Sequence, residues 1–332
     1  MLPLKKARPL VDSFGREVNY LRISLTEDCN FKCIYCVPPE GLPKPSKKLL
    51  TVNEIKRIAR IAFQLGFRKI RLTGGEPLLR PDLVDIVSEL HSIHSSLRIY
   101  LTTNGLGLEK KIPDLKIAGL TGVNISLDSL DPTRFHQLTK RKVFERVWKG
   151  IQETAKLSLE MKINVVVIRG MSDQEIFQFV QLASDLDIEI RFLEFMPLCG
   201  SAWKEDSYYP LNQVKELIEK KFQLIPRIAP HDQPARVFTI PGSKGSIGFI
   251  ASLSDSFCNH CSRMRVTCEG KIRPCLFSNL SFDLKKALQS EDDQKLKEVF
   301  IEATRLKPKG HNWREGTRKT PERYPLIHNI GG

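Results

Sequence analysis

Leu21-Arg22-Ile23-Ser24-Leu25-Thr26-Glu27-Asp28-Cys29-Asn30-Phe31-Lys32-Cys33-Ile34-Tyr35-Cys36, residues 21–36, joins two signals in one stretch. Its first half predicts a strand over Arg22–Thr26. Its second half sets three cysteines at CX3CX2C spacing, with the aromatic Tyr35 directly before the third. Three thiolates within eight residues can converge on one point, which suits a metal centre. A cubane iron–sulfur cluster normally takes four cysteine ligands, so three local ones leave one iron open. Catalytic metal sites keep such a position for a substrate or cofactor. Structural zinc with a distant fourth ligand competes, but zinc patterns usually pair CX2–4C knuckles. Disulfides fit poorly, because the chain is long, shows no secretory signal and clusters its cysteines.

Outward from this stretch one theme repeats: a short β-branched run, a turn, then a helical pattern. Further strands are predicted at 69–73, 98–102, 122–127, 162–168 and 188–194. Thr51-Val52-Asn53-Glu54 is a capping box, and Ile55, Ile58, Ala62 and Leu65 follow on one helical face until Gly66. Pro81 opens the next helix, Pro113 interrupts a weaker one, 144–157 is helical, and Ser172 caps a helix to about Leu186. Strands alternating with helices imply parallel, right-handed βαβ units. Six units are too few for a closed eight-stranded barrel and suit an α/β fold, an open (β/α)6 partial barrel. Chemistry in such sheets collects at the strand C-termini. The cysteine loop, Gly74-Gly75-Glu76-Pro77, Asn104-Gly105, Ser126 and Met196 all fall there.

After Met196-Pro197 the alternation fails. A helix is predicted over 211–222, and short strands at 236–240 and 246–251 flank a turn. The expected division is an N-terminal arm (1–20), the partial barrel (21–199) and a smaller irregular C-terminal region (200–332). That last region carries the second cysteine group, Cys258, Cys261 and Cys275, at CX2CX13C. CX2C plus one distant cysteine is one ligand short of a closed zinc site, and His260 inside the loop is a cramped fourth. Three cysteines again suggest a cluster with one free iron. Cys199 and Cys268 read as ordinary packed thiols.

The net charge is +14, from 52 basic and 38 acidic residues, which raises the local concentration of anionic ligands. No basic block is interleaved with aromatics as a single-strand stacking platform needs, so no nucleic acid is expected. A compact polyanion such as a nucleoside triphosphate fits as well. No apolar run reaches the roughly 18 residues of a membrane span, so no membrane partner is expected. A soluble, cytoplasmic protein follows.

CX3CX2C with Tyr35 before the last cysteine resembles the signature of the radical S-adenosylmethionine (SAM) superfamily. Leu21–Thr26, Asp12-Ser13-Phe14-Gly15, the text around Cys258–Arg265 and Gly270–Leu276, and the final Gly331-Gly332 resemble more narrowly the GTP 3′,8-cyclase family of molybdenum cofactor biosynthesis. The resemblance spans nearly the whole chain. Asp28 stands where the family commonly has arginine, and Val37 where methionine often follows the third cysteine. Neither is a ligand.

The resemblance implies two [4Fe-4S] clusters, one on Cys29, Cys33 and Cys36 that chelates SAM, one on Cys258, Cys261 and Cys275 that meets the guanine base. It implies SAM contacts at Tyr35, Gly75, Ser126 and Met196. It implies GTP contacts at Arg22, Arg71, Thr102, Lys162, Arg263, Met264 and Arg265. Catalytic roles would fall to Arg22, Arg263, Arg265 and the terminal Gly331 and Gly332. The implied reaction begins with reductive cleavage of SAM by an external one-electron reductant of flavodoxin or ferredoxin type. The 5′-deoxyadenosyl radical takes the 3′ hydrogen of GTP, C8 of guanine closes on the ribose radical, and 3′,8-cyclo-7,8-dihydro-GTP results. The family implies a homodimer that passes product to a cyclic pyranopterin monophosphate synthase. Two alternatives are a radical SAM peptide-modifying enzyme with an auxiliary cluster and a non-catalytic zinc-and-nucleic-acid module.

Overall fold

The computed structural model describes residues 9–37, 48–197, 203–228, 233–290 and 292–311. A small hairpin of β1 (Leu10–Val11) and β2 (Glu17–Val18) precedes β3 (Tyr20–Ser24). The alternation then runs α1 (Val52–Gln64), β4 (Lys69–Thr73), α2 (Leu83–His91), β5 (Arg98–Thr103), α3 (Leu108–Ile117), β6 (Gly122–Ser126), α4 (Pro132–Thr139), α5 (Phe144–Ala155), β7 (Glu160–Val167), α6 (Asp173–Asp185) and β8 (Glu189–Glu194). Beyond it come α7 (Leu211–Glu219), β9 (Ile225–Pro226), β10 (Arg236–Thr239), β11 (Ser246–Ile250), β12 (Arg263–Val266), β13 (Lys271–Arg273), β14 (Phe282–Asp283), α8 (Lys285–Gln289) and α9 (Asp293–Arg305).

Local chemistry accounts for the boundaries. Thr51 and Glu54 satisfy each other's backbone N–H groups at the start of α1, as a capping box does. Ser172 Oγ accepts from Glu175 N to open α6. The helix α3 runs through Pro113, against the expected interruption. Leu108, Ile112 and Leu115 are buried along its inner face. That burial outweighs the roughly 3 kcal/mol that an interior proline costs.

The large sheet has the order β14-β13-β12-β3-β4-β5-β6-β7-β8-β11-β10-β9. The six strands β3 to β8 are parallel in sequence order, as the partial barrel requires. The C-terminal region is more regular than its sequence suggested. Strand β11 pairs in parallel with β8, and β12 pairs in parallel with β3, so that region flanks both edges of the six-stranded core. Antiparallel strands then continue outward on each side.

The two faces of this sheet differ in kind. Leu21, Ile23, Ile70, Leu72, Ile99, Leu101, Val123, Ile125, Ile163, Ile190, Ile247, Met264 and Val266 are buried in the hydrophobic core. The alternate positions are Tyr20, Arg22, Lys69, Arg71, Thr102, Asn124, Asn164, Arg191, Arg263 and Arg265, which line a cavity. A closed barrel of this class fills its interior with branched apolar side chains. Here the inner face is polar and cationic, which leaves room and charge for a ligand.

The helix α9 closes the outer layer. Phe300 is fully buried and meets Phe67 edge to face, with ring centroids 5.6 Å apart. Phe300→Ala should cost about 3–5 kcal/mol of unfolding free energy. Denaturant titration of both proteins measures it. A loss below about 1 kcal/mol would show that α9 is not integral to the core.

Candidate functional site

The two cysteine groups lie at opposite ends of the parallel strands. Cys29, Cys33 and Cys36 follow the C-terminal end of β3. Cys258 and Cys261 precede β12, whose first residue Arg263 pairs with Tyr20 at the start of β3. Cys275 follows β13, which runs antiparallel to β12, so it returns to the same end. The expectation that chemistry gathers at strand C-termini therefore describes the first group, not the second.

The first group is held by packing against its neighbours. Tyr35 Oη donates to Asp128 Oδ2 at 2.5 Å, and Asp128 Oδ1 accepts from Val166 N at 2.8 Å. Asn104 Nδ2 donates to Asn30 Oδ1 at 2.7 Å, beside Cys29. Burial pushes the Cys29 thiol up to about 11 and the Cys36 thiol up to about 12. Metal binding requires thiolates, so a metal arriving here would release those protons.

Gly74-Gly75-Glu76-Pro77 abuts this loop. Gly75 N donates to Thr26 O and Glu76 N donates to Asp28 O, both at 2.7 Å. The Glu76 carboxylate accepts from Leu78 N, Thr103 Oγ1 and Asn104 N, at 2.9, 2.6 and 2.7 Å. Burial dominates and raises its pKa to about 7, although those three donors oppose the shift. Glu76 thus ties the cysteine loop to the end of β5. Ser126, half-buried, ends β6, and Met196 lines the cavity from the end of β8.

The second group lines the inner cavity directly, with Arg22, Arg71, Thr102, Arg263 and Arg265. Burial would raise the Cys261 thiol, but Lys307 and Arg263 bring it down to about 7. By donor type both sets fit iron–sulfur chemistry, with three cysteines at each site. Among the described residues no three His, Cys, Asp or Glu side chains are gathered closely enough to hold a metal ion, the two cysteine trios included, so the expected convergence of three sulfurs on one point is not seen. The fully buried Cys268 behaves as a packed thiol, pushed up to about 12 by burial first and by Glu27 and Glu269.

Two anticipated contact positions lie away from the inner cavity, and three further positions are not described. Met264 is fully buried in the hydrophobic core, on the face away from the cavity. Lys162 borders a second, wider cleft, where its Nζ donates to Glu189 Oε2 at 2.9 Å. Gly331, Gly332 and Cys199 lie outside the described residues. The inner cavity measures about 170 Å³ and the wider cleft about 1080 Å³, with Lys69, Arg71, Arg191 and Gln233 bordering both. Ligand pockets usually exceed roughly 300 Å³, so the inner cavity alone is too small for a nucleotide.

Several lining residues escaped the sequence reading: Tyr20, Lys69, Asn124, Asn164, Glu189 and Arg191. Asn124 Oδ1 and Asn164 Oδ1 are buried and have no hydrogen-bond partner within the protein. Buried polar atoms are nearly always satisfied, so these two point to a ligand or water in the cavity. Glu189 sits between Lys162 and Arg191. Burial would raise its carboxyl, yet those two cations hold it below the usual range.

Crowded cations distort their neighbours. Burial pushes Arg22 down to about 10, with Tyr20 opposing and Arg71 and Arg263 adding to the fall. Tyr20 Oη accepts from Arg71 Nε at 2.5 Å and from Arg22 Nη1 at 3.5 Å. Burial would raise the Tyr20 hydroxyl, but Arg71, Arg22, Lys69 and Arg263 bring it down to about 6. The folded pKa thus lies below the unfolded value of about 10, so the unfolded chain binds the extra proton between them. The Tyr20 contribution should be full above pH 10 and fade as pH falls toward 6. The unfolding free-energy difference between wild type and Tyr20→Phe, measured from pH 6 to 9, should widen with pH. A flat difference would contradict the phenolate.

The family described as Radical SAM superfamily matches residues 23–183, and that described as Molybdenum Cofactor Synthesis C matches residues 188–313. The chain is 40% identical to "GTP 3′,8-cyclase" of Petrotoga mobilis, covering 92% of this chain and 95% of that protein. It is 41% identical to "Molybdenum cofactor biosynthesis protein 1" of Drosophila melanogaster over 93% of this chain. There it spans 55% of the fly protein's length, about half, as it does in the mouse relative. Among solved structures, Streptococcus suis SuiB bound to S-adenosylmethionine superposes with a TM-score of 0.63 at 16% identity, covering 86% of this chain and 65% of that one. That likeness shows the fold alone: a radical SAM α/β architecture. With these matches and two cysteine trios on one cationic sheet, the chain belongs to the GTP 3′,8-cyclase family of the radical SAM superfamily.

Proposed function

We propose that this chain is a GTP 3′,8-cyclase that converts GTP to 3′,8-cyclo-7,8-dihydro-GTP, the first step of molybdenum cofactor biosynthesis. One observation carries the reading: a buried cationic inner face between two three-cysteine groups. Cys29, Cys33 and Cys36 would hold the cluster that binds SAM, and Cys258, Cys261 and Cys275 the cluster beside the base. When bound and reduced, the first cluster supplies the electron that cleaves SAM to a 5′-deoxyadenosyl radical.

The protein's own residues do the placing. Arg22, Arg71, Arg263 and Arg265 present guanidinium groups suited to phosphate oxygens. Lys162, Lys69 and Arg191 continue that charge into the wider cleft. Thr102, Asn124 and Asn164 offer polar atoms along the inner face between them. Tyr35 and Met196 take the SAM side, and Gly75 and Ser126 the strand ends beneath it. Met264 would contact GTP only through its backbone, given where its side chain is buried. The barrel walls shield a reactive radical from water, and fixed geometry lowers the entropic part of the barrier.

The terminal Gly331 and Gly332 complete this reading, as do a domain division near residue 200 and a homodimer. So do a flavodoxin- or ferredoxin-type reductant and a cyclic pyranopterin monophosphate synthase as recipient. Oxygen-labile clusters suit a reducing, cytoplasmic compartment. Among the described residues no helix is long and apolar enough to cross a membrane.

Anaerobic incubation of the reconstituted protein with SAM, GTP and dithionite tests the function. 5′-Deoxyadenosine formed only when GTP is present supports it. Equal formation without GTP, or with a peptide in its place, refutes it.

A further inference from the structure

We propose that Lys307 is a positioning residue for the second cysteine trio: its buried ammonium ties the Cys261 and Cys275 segments together and fixes the positive charge that sets the reduction potential of a cluster held there. The proposal rests on the reading of that trio as an iron–sulfur site.

Lys307 follows α9 and is 2% exposed. Its Nζ donates to Arg263 O and to Pro274 O, each at 2.7 Å, and approaches Cys261 Sγ at 3.6 Å. An ammonium has three donors, and these contacts use all of them. Each acceptor is a ligand cysteine or lies within two residues of one. Lys307 therefore bridges the strand pair that carries Cys261 and Cys275.

The charge balance decides the role. A buried cation is costly unless it is paired. Arg16 shows the ordinary solution nearby. It donates to Cys258 O at 2.7 Å, and Asp12 Oδ2 answers its charge at 2.6 Å. The Lys307 contacts are two neutral carbonyls and a sulfur, with no carboxylate among them. Of the three, Cys261 is the one that would carry negative charge when it ligates a cluster. Three thiolates on a cubane supply that negative charge. Reduction adds one more, so a fixed cation favours the reduced state and raises the potential. Net charge and hydrogen bonds to sulfur are the established levers on such potentials.

The test uses the full chain, anaerobically reconstituted, as wild type, Lys307→Gln and Lys307→Arg. Glutamine retains N–H donors for the carbonyls and removes the charge; arginine retains the charge. Redox titration followed by electron paramagnetic resonance reads each cluster, with the first as internal control. The reduction equilibrium of the second cluster should fall at least tenfold in Lys307→Gln, about 59 mV for a one-electron couple. Lys307→Arg should restore most of it, and the first cluster should not move. A second cluster that fails to load in Lys307→Gln but loads in Lys307→Arg supports the same role. A loaded Lys307→Gln protein with an unshifted potential overturns it. So does equal loss of the second cluster from both variants in a folded barrel. Iron analysis of wild type separates the two layers. About four irons per chain refutes the two-cluster reading, whereas about eight with no Lys307 effect refutes only this inference.

Discussion

Gly75→Ala will strip the N-terminal cysteine group of its cluster and abolish 5′-deoxyadenosine formation. A Cβ at Gly75 would lie 2.3 Å from Asp28 O and 2.6 Å from Glu27 O. Both are backbone atoms of the segment entering Cys29, so no flexible side chain can swing away. Gly74 is equally confined, with φ at +151° and a Cβ that would lie 2.6 Å from Thr26 O. The methyl must therefore push the cysteine loop from the end of β4. That breaks the paired bonds from Gly75 N and Glu76 N, and with them the link through Glu76 to Thr103 and Asn104. Iron content should fall from about eight to about four per chain, and product formation should vanish. Retention of full iron and turnover would mean that the loop tolerates the displacement and that the glycines serve another purpose.

Arg71→Met will raise the KM for GTP by about one to two orders of magnitude. Arg71 is 3% exposed, and its guanidinium is held by Tyr20 Oη at 2.5 Å and by Leu101 O and Thr102 Oγ1 at 3.2 Å. It borders both the inner cavity and the wider cleft. Methionine keeps much of the stem's packing but removes the fork. A hydrogen bond to a charged group contributes about 1.5–3 kcal/mol, and each 1.4 kcal/mol is tenfold. The turnover rate at saturating GTP should fall less than KM rises, because on the proposed reading the lost contact would bind phosphate rather than the reacting carbon. Steady-state kinetics under anaerobic conditions reads the split. An unchanged KM would remove Arg71 from the substrate site.

Much of the barrel is legible because its signals are local. The strand at Lys69–Thr73 and the caps at Thr51 and Ser172 follow from alternation and capping chemistry within a few residues. The cysteine spacing is likewise local. The edge strands are not. Arg263-Met264-Arg265-Val266 alternates polar and apolar residues as a strand should, but besides the neighbouring β13 its partner is β3, some 240 residues earlier in the chain. Pairing at that distance leaves no mark in the sequence nearby, so the region looks irregular. The same holds for Arg16 and Lys307, whose meaning lies in the carbonyls they reach.

The inner-face residues were recoverable in principle. Parallel strands covered on both faces read as near-continuous apolar runs. Thr102, Asn124, Lys162, Asn164 and Arg191 break that rule at alternate positions in four neighbouring strands. Such interruptions mark a polar lumen. Tyr20 is harder to find, since a tyrosine at a strand start is ordinary. What sets it apart is the four cations that outweigh its burial and lower its pKa.

The central claim is that the cationic barrel holds GTP with its ribose in reach of a radical generated at the first cysteine group. GTP carrying deuterium at the ribose 3′ carbon tests it most directly, in anaerobic single turnover with SAM and dithionite. The account predicts 5′-deoxyadenosine that contains the deuterium, in step with loss of GTP. Unlabelled 5′-deoxyadenosine, formed at the same rate, would contradict it.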